Sequence, residues 1–154
     1  MPAEASLSRG RERMDISQEL LEQILVHAHA DAPNECCGVV GVAPASGGQP
    51  AQAMRVRSAR NVHASPKRFE IDGKDVLAAM REFDEAGGWE IGAIYHSHTH
   101  TEPYPSQTDI NFAAKWPGVE WIIVGLVDPE NPEIRSYLIE EGVVREVEIG
   151  QITV

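Results

Sequence analysis

The stretch "HSHTHTEPYPSQTD", His96–Asp109, sets three of the chain's six histidines on alternate positions, then places a serine and an aspartate shortly downstream. The segment before it, "EIGAIY", is apolar and rich in β-formers, so the first histidines stand on a strand. Side chains two apart on a strand project to the same face, and His96 and His98 therefore present two imidazoles to one point while Ser97 faces away. The proline-bearing "TEPYPS" is a loop, and Ser106 opens a helix through "QTDINFAAK". Asp109 falls in the first turn of that helix, where the loop can return its carboxylate to the imidazoles. Two histidines and a carboxylate with a fourth position left open form the donor set of catalytic zinc. Such a metal makes hydroxide available near neutral pH, and a neighbouring carboxylate must then collect a proton. Glu35 is the candidate, because it directly precedes a buried run and has no obvious structural partner in sequence. "SQTD" also matches a capping box, and both roles can hold, since a capped helix start fixes where the carboxylate points.

The rest of the chain supplies a frame for this cluster. Its 154 residues suffice for one domain with a real core, 42 % of them apolar and 24 % charged. We expect residues 1–13 to be a flexible tail, lacking the apolar core of a secretory signal, and 14–154 to be the domain. No apolar run approaches the length of a membrane span, so the expected setting is the cytoplasm. A net charge of −11 argues against nucleic acid as the main partner, because phosphate binding needs a basic surface. The adjacent Cys36 and Cys37 fit neither a disulfide framework nor paired-cysteine zinc knuckles, and read as reduced and buried.

Ser17 caps a helix over "QELLEQILVHAHA", whose apolar face is Leu20, Leu21, Ile24, Leu25 and Ala28. His27 and His29, two apart on it, point in different directions and make a poor metal pair. "ECCGVVGV" and "AQAMRVRSARN" read as strands around a turn, and Asp72 caps a second helix that ends at Gly87 and Gly88. "WIIVGLVD", "IRSYLIEEG" and "VVREVEIGQITV" read as three further strands. The sum is an α/β fold, a mixed β-sheet flanked by helices. The basic residues between Arg55 and Arg68 read as a solvated face; were they a patch, it would grip an anion.

Two histidines one residue apart, a serine, an aspartate three positions on and an upstream glutamate resemble the JAMM or MPN+ metalloprotease motif. The order of strands and helices over roughly residues 14 to 150 is similar to that family as well. The resemblance implies a cytidine-deaminase-like JAMM/MPN fold with Zn²⁺ on His96, His98 and Asp109. It further implies Glu35 as proton shuttle and Ser106 as the group steadying the oxyanion, both catalytic. Where the family often has proline after the second histidine, this chain has Thr99. His100 shares the strand phase, and with the motif complete without it, its role is substrate-facing, supporting or solvent.

"NECCGVV", "ARNVHASPKRFEID", "YHSHTHTEPYPSQTD" and "IRSYLIEEG" most resemble small bacterial members that act on ubiquitin-like sulfur-carrier proteins ending in Gly-Gly. The resemblance implies hydrolysis of the amide after the carrier's last glycine, with release of cysteine in cysteine biosynthesis. Arg57, Arg60, Lys67 or Arg68 would then receive the leaving carboxylate. General processing of C-terminal extensions of ubiquitin-like proteins is the alternative. Two readings stand further off: a cupin-like metal oxygenase using Glu102, which lacks the later glycine and the second histidine motif, and a non-catalytic MPN scaffold, which usually loses ligands. Oligomeric state, a homodimer included, is left open.

Overall fold

The computed structural model describes residues 14–152. Its elements are β1 (Met14–Ser17), α1 (Gln18–Asp31), β2 (Cys37–Ala43), β3 (Ala51–Ala59), α2 (Gly73–Gly87) and β4 (Glu90–His98). They continue with α3 (Gln107–Ala113), β5 (Glu120–Gly125), β6 (Glu133–Glu140), β7 (Val143–Val147) and β8 (Gly150–Ile152). The strands form one eight-stranded mixed sheet in the order β7-β6-β5-β4-β2-β3-β1-β8. The expected tail over 1–13 lies outside the described residues.

Local chemistry accounts for the helices. The Ser17 hydroxyl accepts the Leu20 amide at 3.2 Å, and the Asp72 carboxylate accepts the Lys74 amide at 2.8 Å. Helix α2 ends where Gly88 takes φ 68°, a left-handed conformation that a side chain would penalise. The central strands are buried on both faces, which is why they read as unbroken apolar runs. Val40, Ala93, Tyr95, Ile122 and Val124 pack on the α1 side with Leu21, Ile24 and Ala28. Val39, Ile94, Trp121 and Ile123 pack on the other with Val76, Ala79 and Phe83 of α2. Gly38 lets the sheet accept the Tyr95 ring, since a Cβ there would lie 2.3 Å from it.

Two expectations change. Met14–Ser17 is a strand, pairing in parallel with β3 and β8, where the sequence showed only a helix cap after a tail. "VVREVEIGQITV" is two strands rather than one, and they occupy opposite edges of the sheet. Only Glu148 and Ile149 join them, so three Cα steps of 3.8 Å, about 11 Å, bring the two edges together. The sheet is therefore coiled almost into a barrel, and Gly150 marks the point where the chain leaves one edge for the other. At this seam Glu120, at the start of β5, accepts a hydrogen bond from the buried Ser136 hydroxyl at 2.7 Å.

The topology decides where chemistry can sit. Strands β4 and β5 are parallel and joined through α3, so the C-terminal end of β4 opens into a crevice beside the start of that helix. On its other side β4 runs antiparallel to β2 with Cys37 opposite His96. Continued two residues, this register sets Glu35 opposite His98, and the Ser97 amide donates to the Cys36 carbonyl at 3.2 Å between them.

Candidate active site

His96 and His98 end β4 in phase, and their Nε2 atoms lie 3.1 Å apart. Asp109 sits at the third position of α3, where the full capping box forms: its amide donates to the Ser106 hydroxyl at 3.1 Å, and the Ser106 amide donates to its Oδ2 at 3.0 Å. The same Oδ2 lies 3.1 Å from His96 Nε2 and 3.3 Å from His98 Nε2. The helix cap thus aims the carboxylate, as the doubled reading of "SQTD" expects. Glu35, also buried, brings a carboxylate oxygen within 4.8 Å of both imidazoles. All four residues are at most 5 % exposed, which places them in a recess of the sheet end rather than on a solvated face.

The donor spacing fits a metal. Zinc with bonds of about 2.0–2.1 Å in tetrahedral geometry separates its donors by about 3.3–3.4 Å, close to the spacings here. Two imidazole nitrogens facing each other this closely repel unless a proton or a cation lies between them. The His98 Nδ1–H donates to the Glu102 carbonyl at 2.9 Å, which leaves the Nε2 lone pair directed at the cluster. His96 is wedged by the Phe69 ring, stacked at 4.3 Å, and its buried Nδ1 has no partner among the described residues. Only Nε2 of that ring is placed to bind.

Electrostatics separates the two carboxylates. Burial alone would raise Asp109, but the charge of His96 and hydrogen bonds from His96, His98 and the Ser106 amide hold it well below the usual carboxylate range. Burial pushes Glu35 up to about 8, with the charge of His98 opposing and that of Asp109 adding. Asp109 is therefore held as the anion of the pair, and Glu35 is the carboxyl whose proton comes and goes near neutral pH. Burial lowers His96, whereas at His98 the hydrogen bonds with Asp109 and the Glu102 carbonyl outweigh burial and leave it raised.

The backbone around Glu35 is clamped by residues that the sequence did not mark. Asn61, buried, donates from Nδ2 to the Glu35 and Arg68 carbonyls at 3.1 and 3.0 Å and accepts the His63 and Glu70 amides at 3.1 Å each. The Glu35 amide donates to the Ser65 carbonyl at 2.8 Å. Thr99, where proline was expected by resemblance, donates its hydroxyl to the Pro33 carbonyl at 2.8 Å and so ties the end of β4 to the segment carrying Glu35. Asn61 and Phe69 lie in an irregular segment without periodicity, so no pattern could have found them.

Other sequence-level candidates fall outside the cluster. Strand β4 ends at His98, so His100 loses the strand phase and is exposed. Glu102 contributes its backbone carbonyl, with its side chain exposed, which removes the ligand set of the cupin reading. His27 is bound at Nδ1 to the Tyr95 hydroxyl at 2.6 Å and faces Asp31 at 3.2 Å. Cys36 and Cys37 are free and buried, and burial pushes the Cys36 thiol up to about 12, far from a reactive thiolate. Arg55 and Arg57 both pair with Glu82, at 2.9 and 3.1 Å, and Arg60 pairs with Asp72 at 2.6 Å.

A crevice at the end of β4 that gathers two imidazoles and two carboxylates matches what comparison with known proteins returns. Residues 17–140 match the model of the prokaryotic homologues of the JAB domain, Prok-JAB, and the chain belongs to that family. It is 33 % identical over 137 residues to the CysO-cysteine peptidase of Mycobacterium tuberculosis, covering 89 % of this chain and 90 % of that protein. It is 29 % identical over 150 residues to a desampylase of Pyrococcus furiosus, covering 97 % and 98 %. The crystal structure of a JAB1/MPN domain protein from Archaeoglobus fulgidus superposes with TM-score 0.60 at 20 % identity, covering 91 % of this chain and all of that one, and shares the fold. The protein is a hydrolase of the JAMM type, related to CysO-cysteine peptidase and desampylase. Among the described residues no helix is long and apolar enough to cross a membrane.

Proposed function

We propose that this protein is a zinc-dependent hydrolase that cleaves the amide after the C-terminal glycine of a ubiquitin-like sulfur-carrier protein and releases cysteine. The observation that carries the reading is the convergence of His96 Nε2, His98 Nε2 and Asp109 Oδ2 within 3.1–3.3 Å of one another, with Glu35 alongside. His96, His98 and Asp109 would hold the ion. A zinc ion bound there supplies Lewis-acid polarisation and a lowered water pKa.

The chain's own groups do the rest. Glu35 takes the proton of the attacking water on its carboxylate and passes it to the departing amine nitrogen, a contribution worth roughly 10²- to 10⁴-fold. The Ser106 hydroxyl, which accepts the Asp109 amide, has its own hydrogen free of any acceptor among the described residues, and donates it to the carbonyl oxygen as charge develops. A Gly-Gly tail, with no side chains, is thin enough to reach a recess whose walls are buried strands. The 33 % identity to a CysO-cysteine peptidase over most of both chains supports the choice of substrate.

The desampylase relative supports a second reading, removal of longer C-terminal extensions or conjugated proteins from a ubiquitin-like protein. One experiment separates the two. Zinc-loaded protein is incubated with a carrier ending in Gly-Gly-Cys and with the same carrier bearing longer extensions, and the products are weighed by mass spectrometry. Release of cysteine from the single-residue adduct is the expected result. Cleavage of long extensions alone selects the second reading, and cleavage of neither overturns both.

A further inference from the structure

Beside the candidate metal ligands lies a cavity of about 420 Å³ lined by His63, Arg68, Phe69, Asp109, Phe112 and Lys115 among others. That volume suits a small group and excludes a folded protein. Its walls are the rings of Phe69 and Phe112, which meet edge to face at 6.0 Å. Its cations are unusual for a chain of net charge −11. Arg68 has no side-chain hydrogen bond or ion pair among the described residues, and Lys115 has only the Phe112 ring, 5.9 Å from its Nζ. By contrast Arg55, Arg57 and Arg60 are neutralised by Glu82 and Asp72, and Lys67 lies outside the cavity lining. The cavity's Glu70 faces His63 at 3.0 Å, and Asp109 is turned to the imidazoles. Two cations without a carboxylate partner among the described residues therefore border the space next to the candidate metal ligands.

A diglycine tail brings neither charge nor side chain to such a pocket. The group beyond the scissile bond brings both: when it is a single amino acid, it carries a free α-carboxylate a few bonds from the cleaved amide. We propose that this pocket binds the terminal carboxylate of the leaving amino acid between Arg68 and Lys115, and thereby selects a one-residue leaving group over a longer chain. The proposal rests on the hydrolase reading above and deepens it. Loops on either side of the site carry the two cations, Arg68 on the irregular segment that Asn61 clamps to Glu35 and Lys115 just after α3. One hydrogen-bond hub, Asn61, thus ties the backbone of Glu35 to that of Arg68.

The test uses a carrier ending in Gly-Gly-Ser, serine replacing cysteine so that no thiol competes for the metal, as the free acid and as the C-terminal carboxamide. Both keep every other carboxylate of the carrier, so their difference reports the terminal one alone. Wild-type protein should prefer the acid in kcat/KM by about ten- to hundredfold, as expected for losing a charged hydrogen bond. The double variant Arg68→Gln, Lys115→Gln should narrow that preference to within about threefold. A second readout needs no turnover: N-acetylglycyl-L-serine titrated into metal-free, ¹⁵N-labelled protein should shift the amides of Arg68, Phe69, Phe112 and Lys115, and its carboxamide should not. Equal cleavage of acid and amide, or a preference that survives in the double variant, overturns the proposal and leaves the hydrolase standing. Should neither these substrates nor the Gly-Gly-Cys carrier be cut, the proposed reaction fails, and the titration decides the pocket: acid-selective shifts keep the carboxylate site, and their absence removes it.

Discussion

Replacing Ser106 by alanine removes one oxygen that serves two purposes, and their sizes differ enough to be told apart. In the folded protein the hydroxyl accepts the Asp109 amide at 3.1 Å as the cap of α3. Loss of such a cap costs about 1 kcal/mol, which for a chain of this size lowers Tm by about 2–4 °C. The reciprocal bond, from the Ser106 amide to Asp109 Oδ2 at 3.0 Å, is made by the backbone and survives, so the carboxylate keeps its aim at His96 and His98. Zinc content should therefore stay near one per chain. If the hydroxyl also donates to the carbonyl oxygen, losing it removes about 3–4 kcal/mol of transition-state stabilisation, or roughly 10²- to 10³-fold in kcat. Ser106→Gly sharpens the comparison, since glycine at an N-cap loses only a few tenths of a kcal/mol. It should recover most of the Tm and none of the rate. The assays are amine release at saturating substrate, elemental analysis and thermal melting. Glycine and alanine variants that turn over within a few-fold of wild type would refute the donor role. A zinc content falling in step with kcat would instead assign Ser106 to orienting Asp109.

Glu35→Gln should retain the metal while kcat falls by about 10²- to 10⁴-fold, measured by metal content and turnover on one preparation; retained turnover removes Glu35 from proton transfer. Burial raises Glu120 to about 7, despite its hydrogen bonds with Ser136 and the Met14 amide and with Asp15 adding to the rise. The folded state then binds its proton more tightly than the unfolded chain, whose pKa is about 4.5, so the stability it confers is fully present below that pH. It is lost as pH rises through about 7, a swing of about 3 kcal/mol. Glu120→Gln should flatten the urea-unfolding stability over that window relative to wild type, and parallel pH profiles for the two proteins would count against a proton held at the seam. Gly38→Ala drives a Cβ to 2.3 Å from the Tyr95 ring, which is fully buried and tied to His27, and should cost at least about 1–3 kcal/mol. An unchanged melting temperature would show that Tyr95 can move aside.

The elements that depend on near neighbours were legible in the chain itself. Ser17, Asp72 and Ser106 cap their helices because a cap is a contact over three residues, and His96 and His98 share a face because strand alternation is local. The same locality made Asp109 readable as a cap, and as a candidate ligand whose carboxylate the cap aims at the imidazoles. Tertiary structure decided what pairing across the sheet controls. "VVREVEIGQITV" is continuous in pattern, yet coiling of the sheet sends its halves to opposite edges, and no run of side chains records that. Glu35 stands by His98 through the β2–β4 register, at a separation of more than sixty positions along the chain. Asn61, Phe69 and Arg68 come from a segment without period, and only folding tells the ion-paired Arg57 and Arg60 from Arg68, which has no ion pair among the described residues. A sequence states which groups are available and how each presents itself to its own turn of chain; charge compensation and convergence are properties of distances between segments, which exist only once the chain has closed on itself.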